Sequence, residues 1–489
     1  MRIHPTLFLP ILLTAACSVR TAPAPVQGGR FPSDDSIRAM LADIVPDARA
    51  GGAVVAMIEP GGRRRIVAYG SATPGGPPLD GGSVFEIGSV TKAFTGVLLA
   101  DMARRGEVAL DDPLQRLLPR GIRVPSWSGR EITLVDVATH TSGLPAMPPN
   151  FPKPENAAAY AAYTPDQLLA SLSGYTLPRS PGTRYEYSNF VALLAHALAL
   201  RGGKPYEALL RERLLAPLGM RHTGISVTPA MRGRMTRGST GTGDAAPYFV
   251  APAFDGSGGL RSTADDMLRF AAANLAPPTG GLGEALHESR RGRFGPFNED
   301  GDLAALGWAA DERGAAGLSG GTFGYGAYLY VNPSEHRAVV VLANIAGREA
   351  SLLGAHLSHP SQVPRPRASI ARLVIAAYRA GGLGAAVQRY RAARGGIGAD
   401  ASQLNTVGYW LLSRDAVEDA IAILRLNTEE HPREPNPHDS LGEAYLKAGR
   451  IGEAVSSFSR AVSLAEARRD PQTEAYRAHL AEAVRMSSP

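Results

Sequence analysis

Residues 86–98 read Glu86-Ile87-Gly88-Ser89-Val90-Thr91-Lys92-Ala93-Phe94-Thr95-Gly96-Val97-Leu98. Apolar residues at Phe94, Val97, Leu98 and Met102 follow helical spacing, so a helix is expected over Ser89–Arg105. Positions i and i+3 share one helix face, which brings the Lys92 amine within reach of the Ser89 hydroxyl. The helix N-terminus adds free N–H groups and partial positive charge beside that serine. Desolvation favours the neutral form of a buried amine, and a neutral amine beside a hydroxyl is a general base beside a nucleophile. Serine is also a favoured N-cap. A Ser-x-x-Lys tetrad arises by chance about 0.3 times in a chain of this composition, so this one needs companions.

The lysine is unusual in its setting. The 489 residues carry 51 basic and 45 acidic side chains, yet only four are lysines: Lys92, Lys153, Lys204 and Lys447. Arginine holds its proton at any physiological pH, whereas lysine can release it. The composition, 44% hydrophobic and 20% charged, is that of a globular chain and excludes a fibrous or wholly disordered one. No apolar run reaches the roughly 18 residues of a membrane-spanning helix. The one dense basic run, Arg63-Arg64-Arg65, sits in no nucleic-acid motif, so no nucleic-acid partner is expected. A single cysteine rules out an intrachain disulfide and a cysteine metal cluster. His140 and His222 show no ligand spacing, so neither metal nor cofactor is expected.

Working outward, Ala53–Glu59 and Arg65–Gly70 read as strands joined by a Pro60-Gly61-Gly62 turn. Tyr325–Val331 and Ala338–Ile345 repeat the pattern around Asn332-Pro333. Helical stretches lie near Ser36–Val45 and, between the hairpins, at Pro165–Ser173, Ala192–Arg201 and Ala264–Ala273. Strands at both ends and helices between give an α/β fold, a mostly antiparallel sheet flanked by helices with a helical insert. Two further polar groupings accompany the tetrad. Tyr185-Glu186-Tyr187-Ser188-Asn189 opens a helix inside the insert, so Tyr187 and Asn189 are candidates to point into a cleft; the other Tyr-x-Asn, Tyr330-Val331-Asn332, ends a strand where turn chemistry accounts for Asn332. Gly317-Leu318-Ser319-Gly320-Gly321-Thr322-Phe323-Gly324-Tyr325 is a glycine-dense strand, with a backbone that a ligand can approach closely.

In this order the three groupings resemble the serine β-lactamase and penicillin-binding-protein superfamily, class C type, over about residues 50–350. Thr139-His140-Thr141-Ser142-Gly143-Leu144-Pro145, Leu218-Gly219-Met220 and Gly258-Gly259-Leu260-Arg261-Ser262-Thr263 support it. The resemblance implies that Ser89 is acylated, that Lys92 deprotonates it, and that Tyr187 passes the proton to the leaving group; whether Lys92 or Tyr187 is the acylation base stays open. It implies substrate binding by Asn189, Ser319, Gly320 and Gly321, with an oxyanion hole from the backbone N–H groups of Ser89 and Gly321. One departure stands out: the third motif should begin with Lys or His, and here it begins with Leu318. That cation faces a substrate carboxylate in the family, so an uncharged ester or amide is the expected substrate.

The chain start resembles a lipoprotein-type signal peptide, residues 1–16, cut before a lipidated Cys17, with a flexible tether over 17–33. The hydrolase domain is expected over 34–357 and a Pro-rich linker over 358–368. Residues 369–489 repeat with a period of 34: Ala386, Ala420 and Ala454; Val387, Ile421 and Val455; Tyr390, Leu424 and Phe458; Gly408 and Gly442. This resembles tetratricopeptide repeats, which implies a protein partner. The sequence therefore reads as an exported serine hydrolase, lipid-anchored in the bacterial cell envelope, in the periplasm at the outer membrane. The alternatives are a D-Ala-D-Ala carboxypeptidase or β-lactamase, and a non-catalytic scaffold working through its repeats.

Overall fold

In the computed structural model, residues 31–153, 155–395 and 400–487 are described. The expected signal peptide, Cys17 and most of the tether lie outside them. The residues fall into two units: 1–241 with 245–367, and 368–489 with Thr242–Asp244.

The first unit is built on a seven-stranded antiparallel sheet. Its strands are β1 (Gly52–Ile58), β2 (Arg64–Gly70), β3 (Leu303–Ala304), β4 (Ala309–Ala310), β5 (Ala316–Gly321), β6 (Gly326–Asn332) and β7 (Arg337–Ala343). Their order is β2-β1-β7-β6-β5-β4-β3. β1, and β7 after Arg337, read as unbroken apolar runs because both of their faces are covered. The pleat sends Val54, Ala56, Val340 and Leu342 into the larger core beneath the insert. It sends Val55, Met57, Val339 and Val341 into a second core on the opposite face. Each such Val or Leu contributes roughly 1.5–3 kcal/mol by leaving water.

Helices α1 (Asp34–Ile44) and α5 (Glu349–Ser358) cover that second face. In α1, Ile37, Met40, Leu41 and Ile44 form one apolar stripe, and the Ser33 side chain caps the first turn. Phe31, assigned by composition to the tether, is buried in this core, with the Arg337 guanidinium 4.6 Å from its ring. Ordered structure therefore begins before residue 34, because one aromatic side chain fills a place in the core.

Residues 71–302 form the helical insert. Three of its helices matter most here: α2 (Thr91–Arg104), α3 (Ala192–Gly202) and α4 (Ala264–Leu275). The expected strands and helices appear within one or two residues of their bounds, except the glycine-dense strand, which ends at Gly321 rather than Tyr325 because the chain turns between Thr322 and Tyr325. The two-residue strands β3 and β4 carry too little pattern to be read from sequence.

The second unit is all-helical: α6 (Ile370–Ala393, kinked at Gly381 and Gly382), α7 (Ala401–Leu412), α8 (Val417–Glu430), α9 (Pro435–Lys447), α10 (Ile451–Arg468) and α11 (Thr473–Ser487). Ala386, Ala420 and Ala454 are all fully buried. A methyl group on Gly408 would meet Leu424 at 2.5 Å, and one on Gly442 would meet Phe458 at 2.6 Å. The same close helix approach thus recurs 34 residues apart.

Candidate active site

The turn carrying Ser89 lies between a short strand, Val84–Glu86, and α2. Ser89 sits in a 3-10 turn, Gly88–Val90, and the α-helix proper begins at Thr91. Ser89 is therefore not the N-cap, and its hydroxyl is free for other partners. Gly88 has φ +48°, and a Cβ there would stand 2.6 Å from the backbone N and O of Gly321. A Cβ on Gly320 would stand 2.0 Å from the Ile87 carbonyl oxygen. Glycine is required on both sides because the nucleophile turn and β5 touch backbone to backbone.

Ser89 Oγ lies 2.7 Å from Tyr187 OH and accepts a hydrogen bond from Lys92 Nζ at 3.1 Å. Lys92 Nζ also donates to Asn189 Oδ1 at 3.1 Å and to the Ser257 carbonyl at 2.9 Å. Three acceptors thus surround the amine nitrogen. The amine is fully buried, while Ser89, Tyr187 and Asn189 are half-buried and Gly321 is exposed. The site thus has a dry floor and a wet mouth.

Lys92 is held by its own helix. The Thr91 hydroxyl accepts from Leu260 N, and the Thr95 hydroxyl donates to the Gly256 carbonyl at 2.6 Å. These bonds fix the short helix Asp255–Gly258 and the residues after it, so that the Ser257 carbonyl faces Nζ. Nothing in the sequence marks this partner, since a backbone carbonyl leaves no residue-type signature.

Tyr187 and Asn189 are presented by a segment laid against residues 140–147. Glu186 N donates to the His140 carbonyl, Ser188 N to His140 Nδ1 at 3.1 Å, and Asn189 N to the Ala146 carbonyl. The His140 ring stacks on the Tyr187 ring at 4.7 Å. Burial, then the nearby Lys92 charge, push His140 down to about 3, so it is a neutral acceptor that steers the tyrosine. No residue pattern in the sequence places this ring under Tyr187.

The β5 strand pairs with β4 only at its start, through Ala316 and Gly317, and with β6 along its length. Its glycine half therefore presents a free edge to the site. Thr322 N donates to the Tyr325 carbonyl across the hairpin. Because successive N–H groups alternate sides, the Gly321 N–H points away from β6, toward Ser89. Leu318 and Gly320 lie opposite Leu329 and Ala327, on the site's face of the sheet. Ser319 lies opposite Tyr328, on the face of the second core, so the pleat does not bring its side chain to the Ser89 group. Arg313 sits in an exposed turn before β5, five residues from Leu318, and its backbone N donates to Asp311. Leu318 is two strand residues, about 7 Å, from the start of β5, and Arg313 lies in the turn before that start, at the end remote from Ser89. It does not replace the missing cation.

Aromatic rings border the mouth. Tyr160 packs on Phe249 and Phe323, and its OH lies 3.8 Å from the sulfur of Met147, which also accepts from Asn189 Nδ2. Tyr185 stacks on Phe297 at 4.0 Å.

Comparison with known proteins points the same way. A family model described as Beta-lactamase matches residues 35–361. The D-alanyl-D-alanine-carboxypeptidase/endopeptidase AmpH of Escherichia coli (strain K12) is 37% identical over 269 residues, 54% of this chain and 67% of that protein. A Beta-lactamase of the same organism is 28% identical over 380 residues, 68% of this chain and 93% of that protein. Among solved structures, the Beta-lactamase/D-alanine Carboxypeptidase from Yersinia pestis, complexed with citrate, superposes with a TM-score of 0.55 at 28% identity. It covers 64% of this chain and 92% of its own.

Proposed function

From the premise that the chain belongs to the Beta-lactamase family, a family of serine hydrolases, we propose that it cleaves a neutral ester or amide through an acyl-enzyme on Ser89. The observation that carries this reading is the three-way contact of Ser89 Oγ with Lys92 Nζ and Tyr187 OH. Ser89 Oγ attacks the substrate carbonyl, and its proton passes to Lys92 or Tyr187. Tyr187 then protonates the leaving group as the tetrahedral intermediate collapses. The intermediate's oxyanion lies between the N–H groups of Ser89 and Gly321, donors of a kind worth roughly 2.7–4 kcal/mol each. Asn189 holds Lys92 and reaches the substrate amide. Water releases the acyl group by the reverse proton path.

Leu318 supports an uncharged substrate, since it puts an alkyl group where a carboxylate would need a cation. The identity to a carboxypeptidase supports a second reading, in which a peptide ending in D-alanine is cut. Intact-mass measurement after exposure to a fluorophosphonate, a penicillin and a small activated ester tests both. The first reading expects a single adduct with the fluorophosphonate, ester turnover, little penicilloyl-enzyme, and no labelling of Ser89→Ala. Labelling of Ser89→Ala at the parent rate refutes it.

The helical unit is read as tetratricopeptide-like repeats that take a protein partner. Its support is the 34-residue recurrence of Gly408 against Leu424 and Gly442 against Phe458. The chain is further read as exported and lipid-anchored through Cys17 in the periplasm. The support is the apolar stretch before the only cysteine.

A further inference from the structure

Glu86 lies three residues before Ser89, on the strand that leads into the nucleophile turn, and is only 2% exposed. Its carboxylate is fully engaged. Oε2 accepts from Thr322 Oγ1 at 2.7 Å, and Oε1 accepts from Phe249 N at 2.7 Å. Arg261, paired opposite Glu86 in the short two-stranded sheet, brings Nη2 to 3.6 Å from Oε1. That guanidinium is itself held by the Ile225 and Phe249 carbonyls.

The two ends of this contact are the two walls of the site. Glu86 is continuous with Ser89, and Thr322 is continuous with Gly321. Here the walls meet without intervening side chains, through Gly88, Gly320 and Gly321, so nothing in the contact itself sets their separation except van der Waals repulsion. A hydrogen bond that ties one wall to the other sets it from the attractive side. Stability does not account for a carboxylate at this position. Burial raises the Glu86 pKa against the lowering effect of Thr322, Phe249 and Arg261, so the ionised form is held there at a cost in folding free energy.

We propose that the Glu86–Thr322 hydrogen bond is a positioning clamp, which sets the gap between the Ser89 and Gly321 N–H groups and so tunes the oxyanion hole. The proposal rests on the acyl-enzyme reading above. Glu86 and Thr322 touch no reacting atom; they act through the two donors. A clamp of this kind favours the tetrahedral intermediate over the bound substrate, so its loss falls on kcat and leaves KM largely in place.

The experiment measures kcat and KM for a small activated ester, inhibition by an arylboronic acid, and thermal unfolding of the full chain. The variants are Thr322→Val, Thr322→Ser, Glu86→Met and the Glu86→Met/Thr322→Val pair, with Ser89→Ala alongside. Thr322→Val removes the hydroxyl at constant shape and should lower kcat about 10- to 100-fold, less than deletion of an oxyanion donor. KM should move less than about threefold. The boronate, which forms a tetrahedral adduct on serine, should bind more weakly by a similar factor. Thr322→Ser restores the bond and should restore kcat to within about threefold. The double variant should be no worse than the poorer single one, because both remove one interaction. Should Thr322→Val fail to fold, Glu86→Met carries the same comparison. Parent-like kcat in either folded variant, or losses that multiply in the pair, overturns the clamp. A Ser89→Ala enzyme with full turnover overturns the acyl-enzyme reading instead, so the two failures are distinct.

Discussion

Lys92 Nζ stands 3.1 Å from Ser89 Oγ, one helical turn along the chain, with no solvent at the amine. This placement separates two jobs a cation can do. If Lys92 only supplies charge, arginine should serve. If it moves a proton, arginine should fail, because a guanidinium does not release one. Lys92→Arg is expected to lower kcat/KM by about 10²- to 10⁴-fold, the usual worth of general acid–base catalysis. The larger group will also lower Tm in a fully buried place, yet circular dichroism should show a folded protein at 25 °C. Turnover within a few-fold of the parent would make Lys92 a charge alone.

Gly320→Ala tests the backbone contact. Its methyl group would fall 2.0 Å from the Ile87 carbonyl, so β5 or the nucleophile turn must move. A displacement of about 1 Å in a reacting geometry costs on the order of 100-fold in rate. Ester turnover should drop by at least that factor, and Tm should fall with it. Gly384→Ala, inside a helix with no atom within 4 Å of the new methyl, is the control and should leave turnover unchanged without lowering Tm.

His140 gives a pH prediction. Its folded pKa is pushed down to about 3, from an ordinary value near 6.5. Between these values the unfolded chain binds a proton that the folded chain refuses, so stability falls as pH falls through that window. Each unit corresponds to about 1.4 kcal/mol, so the effect amounts to several kcal/mol. Denaturant melts of the parent should lose stability steadily from pH 6.5 toward 4. In His140→Phe that slope should flatten. An unchanged slope would mean that His140 titrates normally.

Substrate class turns on Leu318. A charge-assisted hydrogen bond contributes about 1.5–3 kcal/mol, or roughly 10- to 150-fold. Neutral esters should therefore outrun carboxylate-bearing β-lactams in the parent, and Leu318→Lys should narrow the gap by improving the β-lactam side. A parent that prefers penicillins would place a cation where none has been identified.

The two units make a further expectation. A chain ending at Arg367 keeps the whole sheet and the Arg365–Asp43 ion pair at 2.7 Å. It should fold and hydrolyse the small ester within about threefold of the full chain. Loss of the cooperative thermal transition on truncation would show that the helical unit is needed for the fold.

What the sequence disclosed about this site follows from the range of each interaction. Ser89 and Lys92 were legible because helix geometry alone joins residues three apart. The hairpins were legible because Gly61 and Gly62 mark a turn and the strand before it is an unbroken apolar run. Tyr187 and Asn189 were legible through motif order; their spacing from Ser89 carries no geometric information. The Ser257 carbonyl, the ring of His140 beneath Tyr187 and the Glu86–Thr322 bond were not legible. Each joins segments dozens to hundreds of residues apart, and none has a distinctive residue pattern. Ser319 fell on the unexpected face because a motif names consecutive residues, whereas a pleated strand shows only every second side chain to one side.

The pairing of β1 with β7 has a consequence for how this enzyme comes into being. Ala53 lies beside Ala343, about 290 residues later, and β7 sits between β1 and β6 at the heart of the sheet. During synthesis the first hairpin must wait, one edge bare, until nearly the whole hydrolase unit has left the ribosome. Closing so long a loop is entropically slow, and topologies of this type fold late and expose strands meanwhile. The gap between Ser89 and β5 likewise does not exist until that last central strand docks. An enzyme assembled in this way has no hydrolytic centre while it is still an unfolded chain, and it acquires one only on completion.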